Sequence, residues 1–443
     1  MKKVITYGTY DLLHYGHLNL LKRAKELGDY LIVGVTTDDF DKKRGKVNVQ
    51  QSLMERIEGV RLTGLVDEII VEEYEGQKID DILRLDVDIF TVGSDWKGKF
   101  DYLKEYCDVV YLERTQGISS SDIRKEKRNI RIGLIGAENL IKKFYRESFF
   151  VNGAEISGVY SNKDIEDDEL KAIEVESYEK LLSNSDAVYV LSHPNERYEY
   201  VKSALLNNKH VLYEEPLTLN IEEYKKLCDL AKKQNCILMS SIKTAYSTAY
   251  NRLLLLVKSG KIGNVVSVDA TCTSLKKIGT YDKVRLKTEI NSICDWGPTA
   301  MLPIFQILGS NYEEKRIISS IRDEELLFDN FSKIDFIYKN AVASLKVGKG
   351  IKSEGELVIS GTNGYIYVPA PWWKTDYFEV RYENQEKNER YFYHLDGEGI
   401  RYEILTFVKS IELNRNNSYI SEETSLAITK IVEDYYRGKY VKI

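Results

Sequence analysis

From residue 3 the chain alternates short apolar runs with stretches of helical spacing: KVITYG then GHLNLLKRAKEL, YLIVGVT then SLMERIEGVRL, VDEIIV then QKIDDILRL, and finally IFTVG and VVYL. The runs are nearly continuous in apolar residues, which predicts strands buried on both faces, and the intervening periodicity predicts amphipathic helices that cover them. This is the pattern of a parallel α/β sheet. It stops at RKEKRN (124–129), a charged run without periodicity that reads as a solvated linker rather than a nucleic-acid patch.

A second α/β run opens at IRIGLIG (130–136) and continues through AEISGVYS, DAVYVLS and HVLYEEP to about residue 245, again with a doubly wound pattern. Beyond it the strand-like stretches lengthen (NVVSVDATCTSL, KIDFIYKNAVASLKVG, GELVISGTNGYIYVP, YFEVRYE) before a late helix, YEILTFVKSIEL. The expected fold class is therefore α/β: a Rossmann-like domain over 1–128, a second Rossmann-type domain over 129–245, and an α+β antiparallel-sheet domain over 246–443.

Composition narrows the function. With 443 residues, 43% hydrophobic and 30% charged, the chain has material for several folded cores. A net charge of −6 gives no general attraction to nucleic acid or an anionic membrane, so small-molecule partners are expected and any phosphate must meet local basic groups. The five cysteines are scattered and contain no C-x-x-C, which argues against a disulfide framework or a zinc site and for a reduced cytoplasm. The longest apolar runs, such as LLLLV at 253–257, are far short of a membrane span, and no export signal is expected.

The densest candidate chemistry lies in GTYDLLHYGH (8–17), directly after the first strand. His14 and His17 flank Gly16 at a helix entrance, where free N–H groups and the helix dipole favour an anion and the glycine allows close approach. Two of the chain's five histidines share this one turn, which points to phosphate binding over mere capping and packing.

These residues resemble the nucleotidyltransferases with a G-T-[FY]-D…H-x-G-H signature, and within them the glycerol-3-phosphate cytidylyltransferases. The likeness covers roughly 1–125 and includes LGDYLIVGVTTDDF (27–40), DWKGKFDYL (95–103) and RTQGISSSDI (114–123). It implies in-line attack of an alcohol phosphate on the α-phosphorus of CTP, with release of pyrophosphate and formation of a CDP-alditol for bacterial surface polymers such as teichoic acid or capsule. By the same resemblance His14, His17, Arg114 and Lys46 are the expected catalytic residues. Gly8, Thr9, Tyr10, Asp11, Gly16, Asp38, Arg56, Asp95, Trp96, Thr115, Gly117, Ile118, Ser119 and Ser120 are the expected nucleotide or substrate contacts. Arg56 would be a phosphate ligand, and Mg²⁺ would arrive with CTP, its protein ligands unknown. A homodimer is expected on the same ground. Ser94 of GSDW replaces an acid that similar enzymes carry, and Arg61 and Gly64 are offset from an expected arginine. These departures leave the polyol open, and ATP stands as the alternative nucleotide.

The region 130–435 resembles the glucose-fructose oxidoreductase/inositol dehydrogenase family, with three changed motifs. In register from Gly136 the second glycine of the fingerprint is Glu138, the catalytic lysine of E-K-P is Glu215, and the proton-passing residue of D-x-G-x-[HY], which begins at Asp295, is Thr299. A carboxylate is wrong in size and sign for a pyrophosphate, and threonine does not titrate near neutrality. The reading is a domain without hydride transfer, in which NAD(P) binding is doubtful. The alternative is an NAD(P)H-dependent reductase that makes the polyol phosphate from a keto-sugar phosphate, with Lys243 supplying the missing ammonium.

Overall fold

A computed structural model describes residues 1–43, 49, 51–113, 129–151, 153–162, 164–275, 286, 289–393 and 395–443. The chain divides into two compact units, Met1–Arg128 and Asn129–Ile443.

In the first unit β1 (Lys3–Gly8), β2 (Tyr30–Thr36), β3 (Glu68–Glu72), β4 (Ile89–Gly93) and β5 (Asp108–Leu112) form a parallel sheet of order β3-β2-β1-β4-β5. Val4, Ile5, Leu31, Val33 and Phe90 are fully buried, as continuous apolar runs require when helices cover both faces. Strand order reverses between β1 and β4. The segments leaving these two strands, 9–14 and 94–96, therefore flank the crevice where open α/β sheets take ligands.

Among the described residues the second unit holds two sheets. β6 (Ile130–Gly136), β7 (Ala154–Tyr160), β8 (Ala187–Leu191), β9 (His210–Glu214) and β10 (Leu238–Ser241) are parallel in the order β10-β9-β8-β6-β7. The third sheet comprises, among the described residues, β11 (Val265–Ser274), β12 (Glu314–Asp323), β13 (Phe328–Ile337), β14 (Val342–Lys349), β15 (Leu357–Gly361), β16 (Tyr365–Val368), β17 (Tyr377–Arg381), β18 (Glu389–Phe392) and β19 (Val441–Lys442). It is mixed rather than purely antiparallel, because β11 runs parallel to β14 and β12 parallel to β19. KIDFIYKNAVASLKVG is two strands around a turn, and β12 and the buried helix Glu422–Tyr436 were not expected. The charges in EKRIISSIRD hide the strand in the sequence. Among the described residues no helix is long and apolar enough to cross a membrane.

Candidate active site

The entrance of the helix Tyr15–Lys25 is built by its two histidines. His14 is the N-cap in an extended conformation, and its Nδ1 accepts from the Gly16 N–H at 3.1 Å. Three residues on, His17 Nδ1 accepts from the His14 N–H at 3.4 Å, so the pair forms an imidazole version of a capping box. With both Nδ1 atoms accepting, the neutral rings carry their protons on Nε2. The rings stack with centroids 4.0 Å apart, and burial lowers the pKa of His14 below its ordinary value. Gly16 is required here: a Cβ would lie 2.9 Å from His14 Cε1 and push the ring away.

The preceding loop is strained and held from below. Tyr10 and Leu12 have φ of 53° and 48°. Asp11 Oδ1 accepts from the Gln51 N–H at 2.9 Å while Gln51 Oε1 accepts from the Leu12 N–H at 2.6 Å, a reciprocal pair that fixes the turn. Tyr10 is buried with its ring 5.5 Å from that of His17.

Arg56, expected as a phosphate ligand, is held within the frame of the site. Its side chain is fully buried; it donates from Nε to the Gln51 carbonyl at 3.0 Å, from Nη1 to the Thr9 and Thr36 carbonyls at 2.8 Å each, and from Nη2 to Asp38. Four of its five N–H groups are thus spent on the frame of the site. Asp41, also fully buried, accepts from Thr9 Oγ1 at 3.0 Å and Thr36 Oγ1 at 2.6 Å. Neither Asp41 nor Gln51 stands out in the sequence. The faint signal is a third aspartate in TTDDFD, whose spacing turns it back under the loop.

Gly8 closes β1, and Asp95 and Trp96 sit on the turn after β4, with Asp95 exposed and Trp96 packed 5.8 Å from Phe100. Lys46, Arg114, Thr115, Gly117, Ile118, Ser119 and Ser120 lie outside the described residues. The structure thus brings Thr9, Tyr10, Asp11, His14, Gly16 and His17 to the end of β1, with Asp38 at the end of the neighbouring β2 and Arg56 joining Thr9 to Asp38.

Comparison with known proteins decides the class. The cytidylyltransferase-like family matches residues 5–126. The glycerol-3-phosphate cytidylyltransferase of Bacillus spizizenii is 54% identical over 130 residues, 29% of this chain and 100% of that protein. The Staphylococcus aureus protein of the same name is 52% identical over 129 residues, 28% of this chain and 95% of its own length. The chain belongs to the cytidylyltransferase-like family. Its first unit is a nucleotidyltransferase domain, and the family likeness ends where the second unit begins.

Outside the cytidylyltransferase unit, the second unit departs from what dinucleotide binding requires. Gly136 sits against the end of β8, where a Cβ would be 2.3 Å from the Leu191 carbonyl carbon. Glu138 then heads the helix Glu138–Ser148, and its carboxylate accepts from the N–H groups of Glu166 at 3.2 Å and Asp167 at 2.9 Å. Asp167 is also paired with Lys142 of that helix and caps the short helix Asp168–Lys171. A carboxylate and a strapped loop therefore sit at the helix start.

Glu214 and Glu215 point to opposite sides, as strand alternation demands. Glu215, ahead of a cis Pro216, is buried and accepts from Ser240 Oγ at 2.7 Å, the Leu217 N–H at 3.3 Å and Tyr213 OH at 3.4 Å. Glu214, by contrast, accepts from Tyr189 OH at 2.6 Å, and Ser241 Oγ links it to Glu403 at 2.6 Å. Burial, aided by Glu214, raises Glu403 to about 8. Lys243 and Asp295 act on Glu214, the residue expected in the motif, and Lys243 acts on Glu403 as well. Asp295 is bound to Lys349 at 2.9 Å, which also donates to the Ile290 carbonyl at 2.6 Å; Thr299 lies on the following helix, Gly297–Leu308. Lys349 is not legible in the sequence.

The oxidoreductase family with an NAD-binding Rossmann fold matches residues 130–242. KijD10, a 3-ketoreductase from Actinomadura kijaniata solved with NADP and TDP-benzene, superposes with a TM-score of 0.63 at 18% identity, covering 71% of this chain and 99% of that one. The UDP-N-acetylglucosamine 3-dehydrogenase GnnA from Acidithiobacillus ferrooxidans gives 0.59 at 16% identity, covering 70% and 97%. The second unit has this fold. Its residues do not fit the dinucleotide, because Glu138 places a carboxylate and its bound loop where the fold receives a pyrophosphate.

Proposed function

We propose that the first unit transfers CMP from CTP to a polyol phosphate, glycerol 3-phosphate or a longer alditol phosphate, releasing pyrophosphate and giving a CDP-alditol for a bacterial surface polymer. The observation that carries this reading is the stacked His14–His17 pair: both Nδ1 atoms accept backbone N–H groups, which puts the proton of each ring on Nε2, the atom that would meet a phosphoryl oxygen. Transfer from CTP needs no covalent intermediate. The acceptor phosphate oxygen bonds to the α-phosphorus as the bond to the pyrophosphate oxygen breaks, so catalysis consists of alignment and charge neutralisation.

In this reading the helix start and the two imidazoles hold the α-phosphate and the charge that develops on it. Arg56, Asp41, Asp11 and Gln51 keep the Thr9–Leu12 loop in the shape that presents those donors, and the buried Arg56 acts through Thr9 rather than on phosphate. Arg114, Lys46, Thr115, Gly117, Ile118, Ser119 and Ser120 complete the triphosphate and acceptor contacts, and Asp95 and Trp96 border the base. Mg²⁺ accompanies the nucleotide. Among the described residues no group of three or more His, Cys, Asp or Glu side chains is arranged to hold a metal ion, so no step is assigned to it.

We assign the second unit no hydride transfer. Glu138, Glu215 and Thr299 each remove a property that reaction needs, and Glu138 and Glu215 are built into hydrogen-bond networks of their own. The alternative is a reductase supplying the polyol phosphate, favoured by the fold shared with a 3-ketoreductase. Pyrophosphate release with CTP and glycerol 3-phosphate, beside NADPH oxidation with keto-sugar phosphates, separates the two readings.

A further inference from the structure

Three lysines from three separate elements of the second unit meet at one carboxylate. Lys243, on the turn after β10, lies 2.5 Å from Glu398 Oε2, and Lys374, on the turn Trp372–Lys374, lies 2.5 Å from Glu398 Oε1. Lys143, on the helix Glu138–Ser148, is 3.7 Å from Oε2. All four side chains are partly exposed. Three ammonium groups share one carboxylate, which leaves positive charge over at a point that solvent reaches, with Glu214 and Glu403 the further acids that Lys243 acts on. Burial alone would raise the Glu398 carboxyl, but Lys243 and Lys374 outweigh it and hold it down to about 2.

The loop that carries Glu398 is shaped for this pairing. Gly397, Glu398 and Gly399 take φ of 55°, 56° and 93° in succession, and a Cβ on Gly399 would lie 2.7 Å from the Lys243 carbonyl oxygen. Glu398 is the one non-glycine of the three and adopts a conformation that L side chains rarely take. Its two oxygens each receive one lysine, which is the way two oxygens of a phosphate monoester would bridge the same ammonium groups.

Deeper in, the neighbours of Lys243 change character. Its charge acts on Glu214 and Glu403, which share the hydroxyls of Tyr189 and Ser241. Glu403, raised to about 8 by burial, keeps its proton near neutrality and so both donates and accepts, as do these hydroxyls, and that is the complement of an alcohol. The loop closed by Glu138 leaves this region of the unit to a ligand other than a dinucleotide.

We propose that Lys243, Lys374 and Lys143 bind the phosphate of a small polyol phosphate, with its hydroxyls directed to Glu214, and that Glu398 is the internal anion the phosphate displaces. The second unit is on this view a binding module for the same chemical class that the first unit consumes. The choice of probe rests on the acceptor proposed for the first unit, whereas the lysine bracket does not.

The test is calorimetric titration of the full chain with glycerol 3-phosphate in the absence of CTP. Lys46→Ala, which removes a contact proposed for the acceptor phosphate in the first unit, leaves one equivalent bound. Adding Lys243→Ala and Lys374→Ala to it weakens that equivalent by about tenfold or more for each ammonium group removed. In the otherwise unaltered chain the same two changes leave CMP transfer at its original rate. Glu398→Gln keeps the fold and removes the competing charge, so it tightens binding. An equivalent unaffected by the lysine changes overturns the proposal, as does equal affinity for inorganic phosphate or a preference for CMP. If the acceptor class is wrong, the first unit fails to turn over; if this site is wrong, the second equivalent is missing, and the two failures are read separately.

Discussion

His14 and His17 hold each other in place: their rings stack 4.0 Å apart, and His17 Nδ1 receives the backbone N–H of the very residue whose ring caps the helix. Replacing either imidazole by alanine removes a donor proposed for phosphate and also loosens the partner ring. His14→Ala and His17→Ala are each expected to lower kcat by about 10²–10³, the range for loss of one preorganised donor. The double variant is expected to cost far less than the product of the two. Single-turnover rates of CMP transfer measure this coupling.

The same pair sets a pH dependence. Burial keeps the His14 pKa below its ordinary value, so the unfolded chain takes up this proton before the folded one does. The stabilising contribution is present above the unfolded value of about 6.5 and is lost as pH falls through the lower folded value. Protonation also removes the acceptor that Nδ1 offers Gly16. The first unit is expected to lose stability on acidification below neutrality, and His14→Asn, a neutral N-cap, to flatten that slope in thermal melts.

Arg56 is expected to behave as a structural residue. Arg56→Ala strips partners from the buried Asp41 and from the carbonyls of Thr9, Thr36 and Gln51, so a loss of about 3–5 kcal/mol is expected in denaturant unfolding of the first unit. A surface phosphate ligand would instead raise the KM for CTP at unchanged stability.

In the second unit Glu403 titrates the other way. Its folded pKa, about 8, lies above the unfolded value of about 4.3. Its stabilising contribution is therefore full below the unfolded value and is lost as pH rises through the folded one. Glu403→Gln keeps an acceptor for Ser241 and removes the ionisation, so it is expected to raise the Tm at pH 9 more than at pH 6. A variant equally stabilised at both pH values would contradict the buried Glu214–Glu403 arrangement.

Glu138 bears on the cofactor. The chain is expected to show no NADPH fluorescence enhancement at millimolar cofactor, and Glu138→Ala, which leaves the Glu166 and Asp167 N–H groups without their acceptor, to destabilise the unit by about 1–3 kcal/mol.

Much of this is legible in the sequence because it rests on local patterns. Continuous apolar runs mark the parallel strands, and the turn bearing His14, Gly16 and His17 marks the site, since capping and anion binding are properties of a helix start. What the pattern hides depends on distant partners. Arg56 looks like a free cation until β1, β2 and residue 51 are folded around it, and Asp41 looks like one more surface acid. Glu215 stands out because it breaks a motif, yet strand alternation turns it away and leaves Glu214 facing Lys243. The bracket at Glu398 joins residues 143, 243, 374 and 398, which no spacing rule connects.

The measurement that bears most directly on the account is pyrophosphate release by the full chain with CTP and glycerol 3-phosphate, compared between the unaltered protein and His17→Ala. The account predicts turnover that needs CTP and the polyol phosphate together and falls by about 10²–10³ in the variant. Turnover that survives His17→Ala, or that proceeds equally with ATP, would contradict it.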